Sequence, residues 1–187
     1  MSASPLDQPM LAALLAYWQA KCQGRLLPER RDIDPLEMAP ALLPHLTLCD
    51  LFDRGTRARF RLVGTFVVKR LGFDPTGRYL DHEKGGFFDL ATALHRLVYC
   101  ERAPVHSTSV FVWGSDRRLE VQQLLLPLAQ GGPDPAIALA ATICRSTEPF
   151  PPTIRALGAA SHRETQRGVL KSRSAPDWDR SAGRNVA

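Results

Sequence analysis

VHSTSVFVW GSD RRLEVQQLLLPL AQGGPDP AIALAATICR, residues 105–145, holds three strand-length runs separated by turn-forming clusters. Gly114-Ser115-Asp116 and Gly131-Gly132-Pro133-Asp134 are short, polar and glycine-bearing, as hairpin connections require. Strands joined by connections this short pair antiparallel with their neighbours. Leu124-Leu125-Leu126-Pro127-Leu128 is apolar at consecutive positions. Since side chains alternate between the faces of a strand, both faces of this sheet must be covered.

Moving upstream, Phe87 to Glu101 places Phe88, Ala91, Leu94, His95 and Val98 on one stripe, the spacing of an amphipathic helix. Gly85-Gly86 breaks the chain before it. Asp74-Pro75-Thr76-Gly77 is a turn, with Pro fixing its own φ and Gly tolerating a positive one. Gly72 ends a short helix that Thr65 is placed to cap and that carries Lys69-Arg70 in its last turn.

Leu46 to Phe52 and Arg57 to Val63 are two further strands around the turn Asp53-Arg54-Gly55-Thr56. In the second, Ala58, Phe60 and Leu62 alternate with Arg57, Arg59 and Arg61, so one face is expected inside and the other solvated or paired. Asp34-Pro35 is a helix start, aspartate as cap and proline at the first helical position. The connector from Arg25 to Pro35 is charged and proline-bearing. Before it, Met10 to Gln23 carries Leu11, Leu14, Leu15, Trp18 and Cys22 at helical steps, with Asp7 as cap and Gly24 as terminator. This helix is the expected cover for the second face of the sheet. Its stripe also offers a dimer interface, with intramolecular packing favoured because the leucine-rich strand already needs a cover.

The expected fold is therefore α+β: a five-stranded antiparallel sheet with a helical crossover on one face and an N-terminal helix on the other. The chain divides into that helix (1–24), the sheet domain (25–146) and a basic tail (147–187) rich in Ser, Ala, Gly and Arg, expected to be disordered. From Pro151 onward seven basic residues face three acidic ones, so +4 of the net charge of +5 belongs to the tail and the body is near neutral. A nucleic-acid role through the tail is disfavoured by sparse charge and the lack of an aromatic platform. No apolar run approaches the roughly 20 residues of a membrane helix. Met1 to Gln8 has no basic leader pattern, and a cytoplasmic location is the expectation. Cys22, Cys49, Cys100 and Cys144 are scattered without metal-ligand spacing, so neither a metal site nor a disulfide is expected.

Tyr17-Trp18, Asp32-Ile33-Asp34-Pro35, Leu43-Pro44, Arg61-Leu62-Val63-Gly64-Thr65, Thr76-Gly77-Arg78-Tyr79-Leu80-Asp81 and Leu124 to Leu128 form an ordered set over Leu14 to Arg145, about seven tenths of the chain. The set resembles the single-domain PAS-like proteins common in alphaproteobacteria, a divergent branch of the PAS superfamily. The resemblance implies a PAS fold that encloses a small molecule or pairs with signalling proteins such as histidine kinases or regulators. It implies no transferable ligand residues and no particular cofactor. No kinase, cyclase or DNA-binding segment fits in the remaining chain, so the effector is expected to be another protein.

From strand parity the expected pocket residues are Phe60, Leu62, Ser107, Ser109, Phe111 and Trp113; a one-residue bulge would invert the parity read for the third strand. Arg78 is a candidate for an anionic ligand or, more commonly, a carboxylate partner. His95 lies where haem-binding PAS sensors carry their axial histidine, although a lone histidine on an apolar stripe is more often a satisfied core residue. No cysteine stands in a flavin-photosensor motif, and the chain has no GxSxG elbow, P-loop or GxGxxG. Asp32 and Asp34 are read as caps and not as an acid-base pair. No catalytic residue is expected. The leading reading is a sensory or regulatory module for a small molecule, a signalling partner or both. The alternative is a ligand-free, dimeric interaction adaptor.

Overall fold

The computed structural model describes residues 6, 8–83, 86–113, 117–146 and 161–170. Helix α1 (Pro9–Cys22) is followed by a connector containing two short 3-10 turns, Arg30–Asp32 and Pro35–Glu37. A third, Leu43–His45, leads into strand β1 (Leu46–Phe52), which returns through Asp53–Gly55 as β2 (Arg57–Val63). Helix α2 (Thr65–Leu71), a 3-10 turn (Leu80–His82) and α3 (Gly86–Glu101) cross over. Strands β3 (Val105–Trp113), β4 (Arg117–Ala129) and β5 (Pro135–Ser146) follow, and β6 (Ser161–Val169) adds a sixth. The sheet is antiparallel throughout, in the order β2-β1-β5-β4-β3-β6.

Alternation along the strands builds two cores. On the inner face, Cys49, Leu51, Ala58, Phe60, Phe111, Val121 and Leu125 pack with Val67 and Leu71 of α2 and Phe88, Leu94 and Val98 of α3. On the outer face, Leu124, Leu126, Leu128, Ile137 and Leu139 pack with Leu11, Leu14 and Trp18 of α1 and with Leu27, Ile33 and Leu42 of the connector. The leucine-rich strand is thus covered on both sides, and α1 is the second cover. The Trp18 indole donates to the Pro127 carbonyl at 2.9 Å.

The short signatures hold the layers together. The Tyr17 hydroxyl accepts from the Asp34 amide at 2.9 Å and lies 3.0 Å from Glu37, tying α1 to the connector. Asp32 accepts from the Glu29 amide and Asp34 from the Leu36 amide, both as caps. Gly64 presses on the Pro44 backbone, and its amide donates to Leu46 O at 2.7 Å. His45 lies beside Phe66 of α2, ring centroids 4.1 Å apart, with its Nδ1 3.0 Å from Thr142 O of β5. The Thr76 to Asp81 signature runs along the free edge of β2: Gly77 N donates to Phe60 O, and Phe60 N donates to Arg78 O.

Three expectations change. Leu62 does not face the interior, because Arg61 is an extra residue where Leu48 pairs with Leu62 and Cys49 with Phe60. That bulge re-aims the end of β2, and Leu62 is 48% exposed opposite the outer-face residue Leu48. Among the described residues the sheet has six strands and not five: residues 161–169, expected to be disordered, pair with β3. Gly64, not Thr65, is the N-cap of α2, and Gln8, not Asp7, is that of α1. Gly72 ends α2 with φ 82°, as expected. Asp7, Gly85, Gly114 to Asp116 and the rest of the tail lie outside the described residues.

Candidate functional site

On the inner face, Phe60, His95, Ser107, Ser109 and Phe111 are all buried, so strand parity and helix periodicity place them as expected. The side chain of Trp113 lies outside the described residues. The two serine hydroxyls are 3.4 Å apart, and Phe111 approaches Phe87 with ring centroids 6.4 Å apart. His95 Nδ1 is 2.7 Å from Ala91 O. A carbonyl only accepts, so Nδ1 carries the proton and Nε2 is left as a bare acceptor. That Nε2 is buried without a hydrogen-bond partner, as is Nδ1 of His106 on the outer face of β3.

Burial disfavours the imidazolium and lowers the pKa of both histidines. In the unfolded chain each protonates near its ordinary value of about 6.5, while the folded chain resists the proton until a lower pH. Above pH about 6.5 both states are neutral and the histidines add no pH dependence. Below it stability is lost progressively down to the folded-state pKa. Thermal melts are therefore expected to fall by roughly 3 °C or more between pH 7.5 and 5.5, where exposed carboxylates remain ionised. His95→Leu should flatten that slope; an unchanged slope in the double variant with His106→Leu would contradict the assignment.

Arg78, Leu11, Leu14, Leu15 and Trp18 occupy other places. Arg78 pairs with Glu83 at 3.2 Å and its guanidinium lies over Phe73, so its carboxylate partner is internal. Leu11, Leu14 and Trp18 are buried against the chain's own sheet, the intramolecular packing that the sequence favoured, with Leu15 half-buried beside them.

A cavity lies on the outer face, and none of its lining residues belongs to α1. It is a groove of about 580 Å³, open to solvent on one side. Asp50, Leu51 and Phe52 of β1 and Arg59, Phe60 and Arg61 of β2 line it, with Thr76 and Gly77 on one wall and Gln130 and Ala136 on the other. Asp50 opposes Arg59 in the β1–β2 register, and the Arg61 bulge brings a second guanidinium to the same side. Arg59 Nη2 donates to Asp50 Oδ2 at 2.9 Å and Arg61 Nη1 to Oδ1 at 3.2 Å. The carboxylate is only 15% exposed, against 44% and 47% for the two arginine side chains. Arg59 also lies over the Phe52 ring, 5.6 Å from its centroid.

Parity reasoning missed this site because it searched the interior. Its signal was in the sequence, as the alternating Arg57, Arg59 and Arg61 opposite the lone Asp50 of the paired strand. Thr76 and Gln130 come from turns distant in sequence and carry no such signal.

Burial raises the thiol of Cys49 far above its ordinary value and that of Cys144 to about 12, which leaves both protonated. All four cysteines are unpaired. Among the described residues no three His, Cys, Asp or Glu side chains group as metal ligands, and no helix is long and apolar enough to cross a membrane.

A PAS domain family model matches residues 6–141, which takes in α1, strands β1 to β4 and the first half of β5. No curated protein and no solved structure matches the chain.

Proposed function

Because the chain belongs to the PAS domain family, whose members are typically sensory and regulatory modules, we propose that it is a cytoplasmic regulator acting by contact with a signalling protein, and that the contact surface is the outer groove. One observation carries this reading: among the described residues the side chains between the sheet and its crossover helices form one buried apolar cluster, whereas the groove on the other face is open. Every member of the inner cluster, Phe60, Leu71, Leu80, Phe88, Leu94 and Phe111 among them, is at most 8% exposed. A ligand enclosed there would have to displace packed core, and removing buried aliphatic or aromatic groups costs about 2–5 kcal/mol each.

The alternative, a retained small molecule on the inner face, draws support from one feature, the unpartnered Nε2 of His95 near the middle of α3. Native mass spectrometry of the purified full chain separates the two. The partner reading expects the apo mass alone, together with a specific protein recovered by affinity co-purification. A small molecule retained stoichiometrically, and lost in His95→Leu, would overturn it in favour of the enclosed-ligand reading.

A second copy of the chain is a weaker candidate for the partner. Dimerisation through α1 would require the helix to leave the outer core, exposing Leu124, Leu126 and Leu128.

A further inference from the structure

The groove on the outer face has a charge arrangement that specifies what it can hold, and we propose that it binds an acidic segment of a partner protein, pairing its carboxylates with Arg59 and Arg61 and its apolar side chains with Phe52. This rests on the partner reading above and adds the partner's chemistry.

The lining carries two cations and one anion, Arg59, Arg61 and Asp50. Their depths matter more than their sum. Asp50 lies beneath the guanidinium groups and turns both oxygens to them, one to each. The face presented to solvent is therefore cationic. Each guanidinium has five N–H donors in a rigid fork, and the bonds to Asp50 engage Nη2 of Arg59 and Nη1 of Arg61. The remaining donors suit the bidentate geometry of an incoming carboxylate.

The fork is held in place before any partner arrives. Arg59 is fixed from one side by Asp50 and from another by the Phe52 ring, which lowers the entropy lost on binding. The neighbouring cation, Arg57, is engaged by Asp53 and Asp81 and lies over Tyr79, so it does not compete for the same partner group.

Openness decides between a small anion and a chain segment. Small-molecule sites bury about 70–90% of their ligand, and a groove open along one side does not. Phe52 in its lining and Leu62 beyond it are exposed on the same face, 38% and 48%, and extend the surface past the ion triad. A segment carrying acidic and apolar residues matches both parts.

Calorimetric titration of the full chain with the hexapeptide Glu-Glu-Leu-Leu-Glu-Glu tests this, with Lys-Lys-Leu-Leu-Lys-Lys and free glutamate as comparison probes. The acidic peptide is expected to bind and weaken with added salt, and the basic one is expected not to bind. The double variant Arg59→Ala, Arg61→Ala should weaken binding by roughly tenfold or more. Asp50→Asn should tighten it, since it releases both forks; a purely structural triad would give the opposite sign. Circular dichroism checks that each variant is folded, and the arginine double variant decides the matter if Asp50→Asn is not. Equal binding of the basic peptide, an unchanged affinity in the double variant, or free glutamate binding as tightly as the peptide would each overturn the proposal. If the peptide fails while a co-purifying protein is captured equally by wild type and double variant, the partner reading stands and only the groove assignment falls.

Discussion

Gly64→Ala is expected to destabilise the protein by about 3 kcal/mol, lowering the melting temperature by roughly 10 °C or preventing soluble expression. The reason is space and not backbone angle, since φ at Gly64 is −66°, a value any residue adopts. A Cβ there would stand 2.2 Å from Pro44 O, 2.6 Å from Pro44 C and 2.8 Å from Leu43 O. These are backbone atoms of a turn whose position is set on both sides. His45 contacts Thr142 O and Phe66, and Leu46 O receives the Gly64 amide. The turn cannot retreat without pulling β1 from β5. Gly77→Ala is the comparison: its φ of 84° strains an L-residue, but nothing lies within 4 Å of the added carbon. It should cost only about 1–2 kcal/mol. Equal melting temperatures for Gly64→Ala and wild type would refute the close approach.

Trp18→Ala should remove about 4 kcal/mol, a large part of the roughly 5–15 kcal/mol that stabilises a typical domain. The indole is buried between α1 and β4 and donates to Pro127 O. The loss therefore combines a large cavity with an unpaired carbonyl. Trp18→Phe keeps most of the volume and should cost about 1–2 kcal/mol, mainly for the lost hydrogen bond. Adding Leu14→Asp to Trp18→Ala places a carboxylate against the outer core and should detach α1. Leu124, Leu126 and Leu128 would then be exposed, and light scattering should report association or aggregation. Urea melts give the single-variant energies. A folded, monomeric double variant of unchanged stability would show that α1 is not the cover this fold needs.

Much of the fold could be read from local chemistry. Turn clusters and period changes marked β1 to β5 and α3 to within a residue or so, because glycine, proline and alternating apolar residues act locally. Consecutive leucines at 124 to 126 required a second cover, and α1 supplies it. What escaped depends on distant partners. The Arg61 bulge arises from how β2 meets β1, and it turned Leu62 outward against simple alternation. Strand β6, Ser161–Val169, has no apolar alternation, so its pairing with the edge of β3 leaves no local mark. Its Gly168 does report a tight fit, as a Cβ there would stand 2.5 Å from His106 Nε2.

The site followed the same division. Phe60, His95, Ser109 and Phe111 were placed inside correctly, and all four are buried. The charged alternation at Arg59 and Arg61 marked the opposite face as paired. That Asp50 would sit beneath both, with Thr76, Gly77 and Gln130 walling a groove, needed the three-dimensional arrangement. The motif residues themselves, Tyr17, Asp34, Pro44 and Gly64, join layers and cap turns. They specify the scaffold.

Mapping backbone amide shifts by two-dimensional NMR during titration with the acidic hexapeptide tests the central claim most directly. The account predicts saturable shifts at Asp50, Phe52, Arg59, Arg61, Thr76 and Gly77, with His95, Ser109 and Phe111 unmoved. Shifts concentrated at His95, Ser109 and Phe111 instead would contradict it and return the binding site to the interior.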